Sequence, residues 1–177
     1  APRSSLGSSL RAWFPRPPRR HGEVDHERTV SFLELFYDLV FVVLIAQIGH
    51  HLADHVSWAG VLDFAVVFGL VWIAWLDGSM YHELHGREDG RHRNYIFIQM
   101  YLLVLLAVFA GSATDEDGRA FALTYAALLV VLTWQWYAVR RIDTPEYAPI
   151  TDRYIATMLV SIAVMAVSAF VSDDVRL

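Results

Sequence analysis

Two carboxylates interrupt the first long apolar stretch of this 177-residue chain, VSFLELFYDLVFVVLIAQIGHHL, over residues 30–52. Glu34 and Asp38 are four residues apart, so on a helix they share one face, one turn from each other. About 20 apolar residues cross a bilayer, and an ionisable group inside such a span costs roughly 2.5–3.5 kcal/mol. Acidic residues that are present in a span despite this cost can hold a proton or a cation, or they can hydrogen-bond to a neighbouring helix.

Further polar residues are expected at a similar depth, close to where the second apolar run ends and the third begins: Asp77, Tyr81, Arg93 and Gln99. Together with the two acids of the first run, they would form one polar cluster. Two interpretations stay open. The cluster is either a proton or cation site within the membrane, or a hydrogen-bonded clamp that holds three helices together.

Asp38 is the deeper of the two acids, and it needs a compensating partner. Arg93 opens the third apolar run at the same level, and its planar guanidinium can bind a carboxylate through two hydrogen bonds. We therefore expect Arg93 to pair with Asp38, with a further hydrogen bond from Gln99 or Tyr81. Arg28 is expected to pair with the shallower acid instead.

Two other groups could do chemistry. Asp63 precedes Asp77 by fourteen residues, which leaves both within about 40° of one helical face, so they face the bundle interior or line a pathway. His51 and His55 have the four-residue spacing of helical zinc ligands and are candidate metal ligands, with simple helix capping as the alternative. The histidines of loop 82–92 are expected to be solvated.

The composition favours an integral membrane protein, because 55% of residues are hydrophobic and only 19% are charged. The sequence predicts an all-α, polytopic bundle of five transmembrane helices at about 30–52, 58–81, 94–113, 120–139 and 154–171. Residues 1–29, rich in proline and arginine, are expected to be a flexible basic cytoplasmic arm. Residues 30–177 then form one transmembrane domain.

The arginines predict the orientation of this bundle. Twelve of the fourteen basic residues fall in the arm and in the loops after the second and fourth runs, and the remaining two are Arg119 and Arg176. Because positively charged short loops stay in the cytoplasm, this split predicts a cytoplasmic N-terminus.

Several classes of function find no support in the sequence. The chain has no cysteine, and it has no nucleophile elbow, phosphate-binding glycine loop or dinucleotide fingerprint. We therefore expect no enzyme activity, no cofactor and no nucleic-acid partner, and we expect the lipid bilayer as the main partner. Small residues along the last run favour close helix packing. A homodimer through that helix and a missing second half both remain open.

The segment ELFYDLVFV over residues 34–42, with Arg28 and Val30 before it, closely resembles the first-helix signature of the bacterial low temperature requirement A (LtrA) membrane protein family. The similarity continues to the end of the chain through Trp72, Trp75, Tyr81, Arg93 and Gln99-Met100. The resemblance implies a multi-pass bacterial inner-membrane protein whose core positions are Glu34, Phe36, Asp38, Tyr81 and Arg93.

This resemblance implies no particular reaction. Members of that family are usually about twice as long, so a second multi-span half would be absent here, and the loop before Arg93 is shorter than in many relatives. The sequence thus leaves two functions open. One is a proton- or cation-coupled transport or channel module, and the other is a membrane scaffold or stress-adaptation component.

Overall fold

The computed structural model describes residues 17–22, 31–54, 56–87, 89–114 and 117–170. Regular structure within these residues is entirely helical and follows the order α1 (Phe32–Asp54), α2 (Trp58–His85), α3 (Gly90–Phe109), a 3₁₀ turn (Ala110–Ser112), α4 (Gly118–Arg140) and α5 (Ala148–Ser168). Each of the five α-helices is long and apolar enough to cross a membrane. The predicted bundle of five spans is confirmed.

Three helix ends extend beyond the apolar runs. α2 continues to His85, α3 begins at Gly90, and α5 begins at Ala148. These extra turns contain polar or charged residues and, in α5, a proline, so hydropathy does not register them, but local chemistry favours them. The Asp89 side chain accepts a hydrogen bond from the backbone N–H of His92 at 2.8 Å and caps α3. Pro149 occupies the first turn of α5, where its missing N–H is not needed.

α4 is the most buried helix, and it packs against α5, α3 and α2, while α1 packs against α2 and α3. Fully buried side chains at these contacts include Leu44, Ile96, Leu103, Leu128 and Leu132. α2 and α5 are less closely joined. An open cavity of about 650 Å³, lined mainly by apolar side chains of α2, α4 and α5, lies between them.

The starts of α1, α3 and α5 meet the ends of α2 and α4 at one end of the bundle, which we call the near end. Residues 17–22 pack against this end, with Pro18 and Arg19 buried. This short piece of the N-terminal segment is docked, which corrects the expectation of a flexible arm for these residues. Residues 1–16 and 23–30, including Arg28, lie outside the described part of the chain.

Candidate functional site

Asp38 has a different partner from the one predicted. The Trp75 indole N–H of α2 donates to Asp38 Oδ1 at 2.9 Å, and the carboxylate lies on an exposed face of the bundle. The prediction of an Arg93 partner in α3 is wrong, and Arg93 itself is exposed. The reason is the rotation of α1, which directs Asp38 toward the outer side of α2 and away from the first turn of α3.

Glu34 takes the position near α3 that was expected for Asp38. Its Oε1 lies 3.6 Å from His92 Nε2, in the first turn of α3. Glu34 also completes a capping box, because its backbone N–H donates to Ser31 Oγ at 3.2 Å and the Ser31 N–H donates to Glu34 Oε2 at 3.3 Å. The Ser-x-x-Glu pattern at residues 31–34 is the sequence signal for this role.

Gln99 lies in the interior between α3 and α4. Its amide donates to Gln135 Oε1 at 2.7 Å, and both side chains are fully buried. Neither Gln99 nor Tyr81 donates to Asp38, contrary to prediction. The acids and amides singled out by sequence therefore do not form one cluster, because each pairs with a different helix.

Asp77 is the acid that connects α2 to α5. The Tyr154 hydroxyl of α5 donates a hydrogen bond to Asp77 Oδ1 in a half-buried site. Asp77 precedes the end of α2 by eight residues, so it lies about 12 Å inside that helix. It is thus an acid within the span whose partner is a titratable phenol.

Asp63 and His51 lie toward the opposite end of the bundle, where both line a small cavity between α1, α2 and the 3₁₀ turn. His55, the second candidate metal ligand, is outside the described residues. Among the residues that are described, no group of three or more histidine, aspartate and glutamate side chains is gathered as a metal site.

Trp136 is the centre of a packed group of rings at the near end. Its indole lies 4.5 Å from the Tyr154 ring, 5.1 Å from the His85 ring and 6.0 Å from the Tyr81 ring, measured between centroids. His21 packs edge-on to His85 at 4.6 Å. We call these five rings the terminal cluster. All except those of Tyr154 and His21 are almost fully buried.

Residues 17–22 cover this cluster through backbone and side-chain contacts. The Arg19 N–H donates to the His85 carbonyl at 3.2 Å, and the Arg19 carbonyl lies 2.8 Å from His85 Nδ1. The Arg19 guanidinium donates to the Glu83 carbonyl at 2.7 Å. His82, His85 and His92, which were expected in a solvated loop, are buried. That expectation was wrong because α2 and α3 extend into the loop.

A hydrogen-bonded contact between His21 and Asp143 closes the outer side of the cluster. The ring of His21 is hydrogen-bonded to Asp143 through Nδ1, and its backbone N–H donates to the same carboxylate at 3.3 Å. Burial acts to raise the pKa of Asp143, but the hydrogen bonds from His21 and from the Thr144 N–H outweigh it, and the pKa lies below its usual value. Asp143 is therefore an anion at neutral pH. The His21 ring also stacks on Tyr147 at 4.8 Å.

The terminal cluster thus lies between two carboxylates, Asp77 inside the span and Asp143 at the end of the bundle. Side chains that donate or accept hydrogen bonds lie between them. Two of their nitrogen atoms, His85 Nε2 and Trp136 Nε1, are buried without a hydrogen-bond partner among the described residues. Buried polar atoms of this kind are usually satisfied, so these two nitrogens are exceptions among the described residues. Carboxylates and imidazoles are side chains that can take up a proton.

Sequence reasoning missed most of this site. His85 was assigned to a loop and His21 to the arm, and neither Trp136 nor Tyr154 was a candidate residue. The available signal was the spacing of Tyr81, His82 and His85, which places rings on adjoining faces of one helix if α2 continues past residue 81. Nothing in the local sequence indicates that residues 17–22 return to cover them.

These features define a polytopic helical membrane protein with ionisable side chains inside its spans. The model of the family described as bacterial low temperature requirement A protein (LtrA) matches residues 29–177. The chain belongs to this family.

A protein of Rhizobium meliloti (strain 1021), described as uncharacterized protein RA0937, is 32% identical over 119 residues, which are 66% of this chain and 29% of that protein. The chain thus spans less than a third of the length of this curated relative. No solved structure matches the chain.

Proposed function

We propose that this chain is a proton-handling module of a bacterial inner-membrane transport protein, in which Asp77 binds the proton. One observation carries the proposal. Asp77, about 12 Å inside α2, is hydrogen-bonded to Tyr154, whose ring begins a continuous series of contacts through Trp136 and His85 to the end of the bundle. Acids within transmembrane segments typically belong to ion or proton pathways.

The proposal assigns separate roles to the polar side chains. Asp77 takes up and releases the proton, while the Tyr154 hydroxyl donates a hydrogen bond to the ionised carboxylate and can turn to accept one from the protonated acid, so Tyr154 keeps its own proton. His85 offers an imidazole nitrogen free to accept a proton within the cluster. Asp143, held as an anion beside His21, attracts protons to the outer edge of the cluster. Glu34 caps α1 and is outside this route.

Proton flux into liposomes tests the proposal. We expect reconstituted protein to carry protons faster than empty liposomes, as read by a trapped pH-sensitive dye under a clamped membrane potential. Asp77→Asn should reduce the flux at least about tenfold, because the amide cannot take up the proton. Tyr154→Phe should also reduce it while keeping the ring packed on Trp136. Glu146→Gln, a change of an exposed acid in the loop before α5, is the matched control and should leave the flux unchanged.

Equal flux from the protein and from empty liposomes would refute a transport role under these conditions. Retained flux in Asp77→Asn would refute the role of Asp77. The unfolding temperature of each variant in detergent separates loss of transport from loss of fold.

We further propose a cytoplasmic N-terminus, on the basis of the arginine distribution. The chain has no natural cysteine, so single substitutions can report the side of each loop. Val56→Cys, in the exposed loop between α1 and α2, should react with a membrane-impermeant maleimide on intact spheroplasts. Glu146→Cys should react only after permeabilisation. The reverse pattern would overturn the orientation.

A membrane scaffold is the second candidate, and hydrogen bonds between helices favour it. The Gln99–Gln135 bond joins α3 to α4, and the Tyr125 hydroxyl donates to the Leu70 carbonyl at 2.8 Å, joining α4 to α2. In this alternative the bond between Asp77 and Tyr154 only joins α2 to α5. Asp77→Asn would then lower the unfolding temperature. The wild-type protein and all variants would show the same proton flux as empty liposomes.

A further inference from the structure

One exposed stripe of α1 combines apolar residues with an acid. Leu35, Asp38, Leu39 and Val42 recur at the spacing of a single helical face. The three apolar side chains are 52%, 57% and 59% exposed, and Asp38 is exposed between them. We call these four residues the α1 stripe. Its periodicity is typical of a helix face that packs against another helix.

Asp38 has too few partners for its position. It accepts one hydrogen bond, from Trp75, whereas an ionised carboxylate has about four acceptor positions. It lies six residues into α1, about 9 Å from the start, and Trp75 lies ten residues before the end of α2, about 15 Å from it. Lipid chains cannot complete this set of hydrogen bonds, because they have no hydrogen-bond donors.

The charge of Asp38 selects among the helices that could cover the stripe. A second copy of this chain has the same orientation in the membrane, so a symmetric contact through the stripe would place two Asp38 carboxylates at one depth, facing each other. Like charges so placed repel, which disfavours a symmetric dimer through this face. A helix with a basic side chain would instead supply both the positive charge and the missing donors.

The relative reported above is longer than the segment it shares with this chain. The matched segment makes up only 29% of the Rhizobium meliloti relative, so most of that protein lies beyond the region this chain shares with it. We propose that the α1 stripe is the docking face for a transmembrane helix that carries an arginine or lysine at the depth of Asp38. This inference is independent of the proposed function, because Asp38 lies outside the terminal cluster.

Transmembrane peptides of defined sequence test this inference in vesicles. The probes are three leucine–alanine helices that differ only at one residue about 9 Å from one end, which is arginine, leucine or glutamate. A donor dye on Ala53→Cys, at the exposed far end of α1, reports association with an acceptor dye on the peptide. We expect the arginine peptide to bind the 177-residue protein at least about tenfold more tightly than the leucine peptide does.

Three variants complete the test. Asp38→Asn should abolish the advantage of the arginine peptide, whereas Asp54→Asn, a change of an exposed acid at the other end of α1, should keep it. Trp75→Phe removes the indole N–H that donates to Asp38, and it should increase the affinity difference between the arginine and leucine peptides. Structural damage would not produce such a gain. Equal binding of the arginine and leucine peptides, or an advantage that survives Asp38→Asn, would overturn the proposal. Self-association of the wild-type protein through the stripe would also overturn it, because two facing Asp38 carboxylates are expected to repel.

Discussion

Replacing Trp136 with alanine is expected to lower the free energy of unfolding by about 3–5 kcal/mol, the usual cost of removing a buried tryptophan. Trp136 is 4% exposed, and its indole contacts rings from α2, α5 and the docked segment 17–22. Its loss would leave a cavity where these elements meet. Unfolding in mixed detergent micelles, followed by circular dichroism, measures the effect.

A matched control lies two residues earlier in the same helix. Trp134 is 58% exposed, so Trp134→Ala should change the free energy of unfolding by only about 0.5 kcal/mol in micelles. Trp136→Phe should fall between the two alanine variants because it keeps part of the ring contact. Equal losses from Trp134→Ala and Trp136→Ala would show that Trp136 has no special role in joining the near end.

Adding a single methyl group at Gly78 is expected to destabilise the bundle by about 1–3 kcal/mol, the usual cost of overpacking. Gly78 is buried in α2, and a Cβ built there would overlap the hydroxyl oxygen of Tyr37 in α1. Tyr37 is 1% exposed and has little room to move. The overlap should outweigh the gain of up to about 1 kcal/mol that alanine normally brings to a helix.

Two further variants identify the overlap as the cause. Tyr37→Phe removes the clashing oxygen, so Gly78→Ala should change the free energy of unfolding only slightly in the Tyr37→Phe protein. A double-mutant cycle gives the coupling free energy between the two positions. Gly69→Ala changes another glycine of α2 where nothing lies within 4 Å, and it should be neutral or stabilising. If Gly78→Ala remained costly after Tyr37→Phe, a different contact would be responsible.

The five spans could be predicted from sequence because hydrocarbon thickness alone demands long apolar runs. Their ends could not be predicted, since the last turn of α2 and the first turn of α3 are polar and α5 begins with turns that contain Pro149, Asp152 and Arg153. The extra turn of α2 moved His82 and His85 from the expected loop into the interior. A short solvated loop and a capped helix end have similar compositions, and tertiary packing, here with Tyr37 and with residues 17–22, distinguishes them.

The partners of the acids could not be predicted for a related reason. In a membrane bundle the lipid-facing and the buried sides of a helix are both apolar. Hydropathy therefore does not show how each helix is rotated about its own axis. Asp38 could thus be assigned a depth but not a direction, and it faces Trp75 instead of Arg93. Asp77 is hydrogen-bonded to Tyr154, a partner that is far away in sequence.

The length of α2 links the near end to the bilayer itself. Its 28 residues measure about 42 Å along the axis, against about 30 Å for the hydrocarbon core. A tilt of about 20° shortens its projection by only a few ångströms, so polar turns must extend into the headgroup layer. The last turn, with His82 and His85, is the polar end of this helix. Thickening of the bilayer would draw this end toward hydrocarbon and thinning would draw it toward water, so hydrophobic mismatch changes the surroundings of residues 17–22, which cover the buried His85.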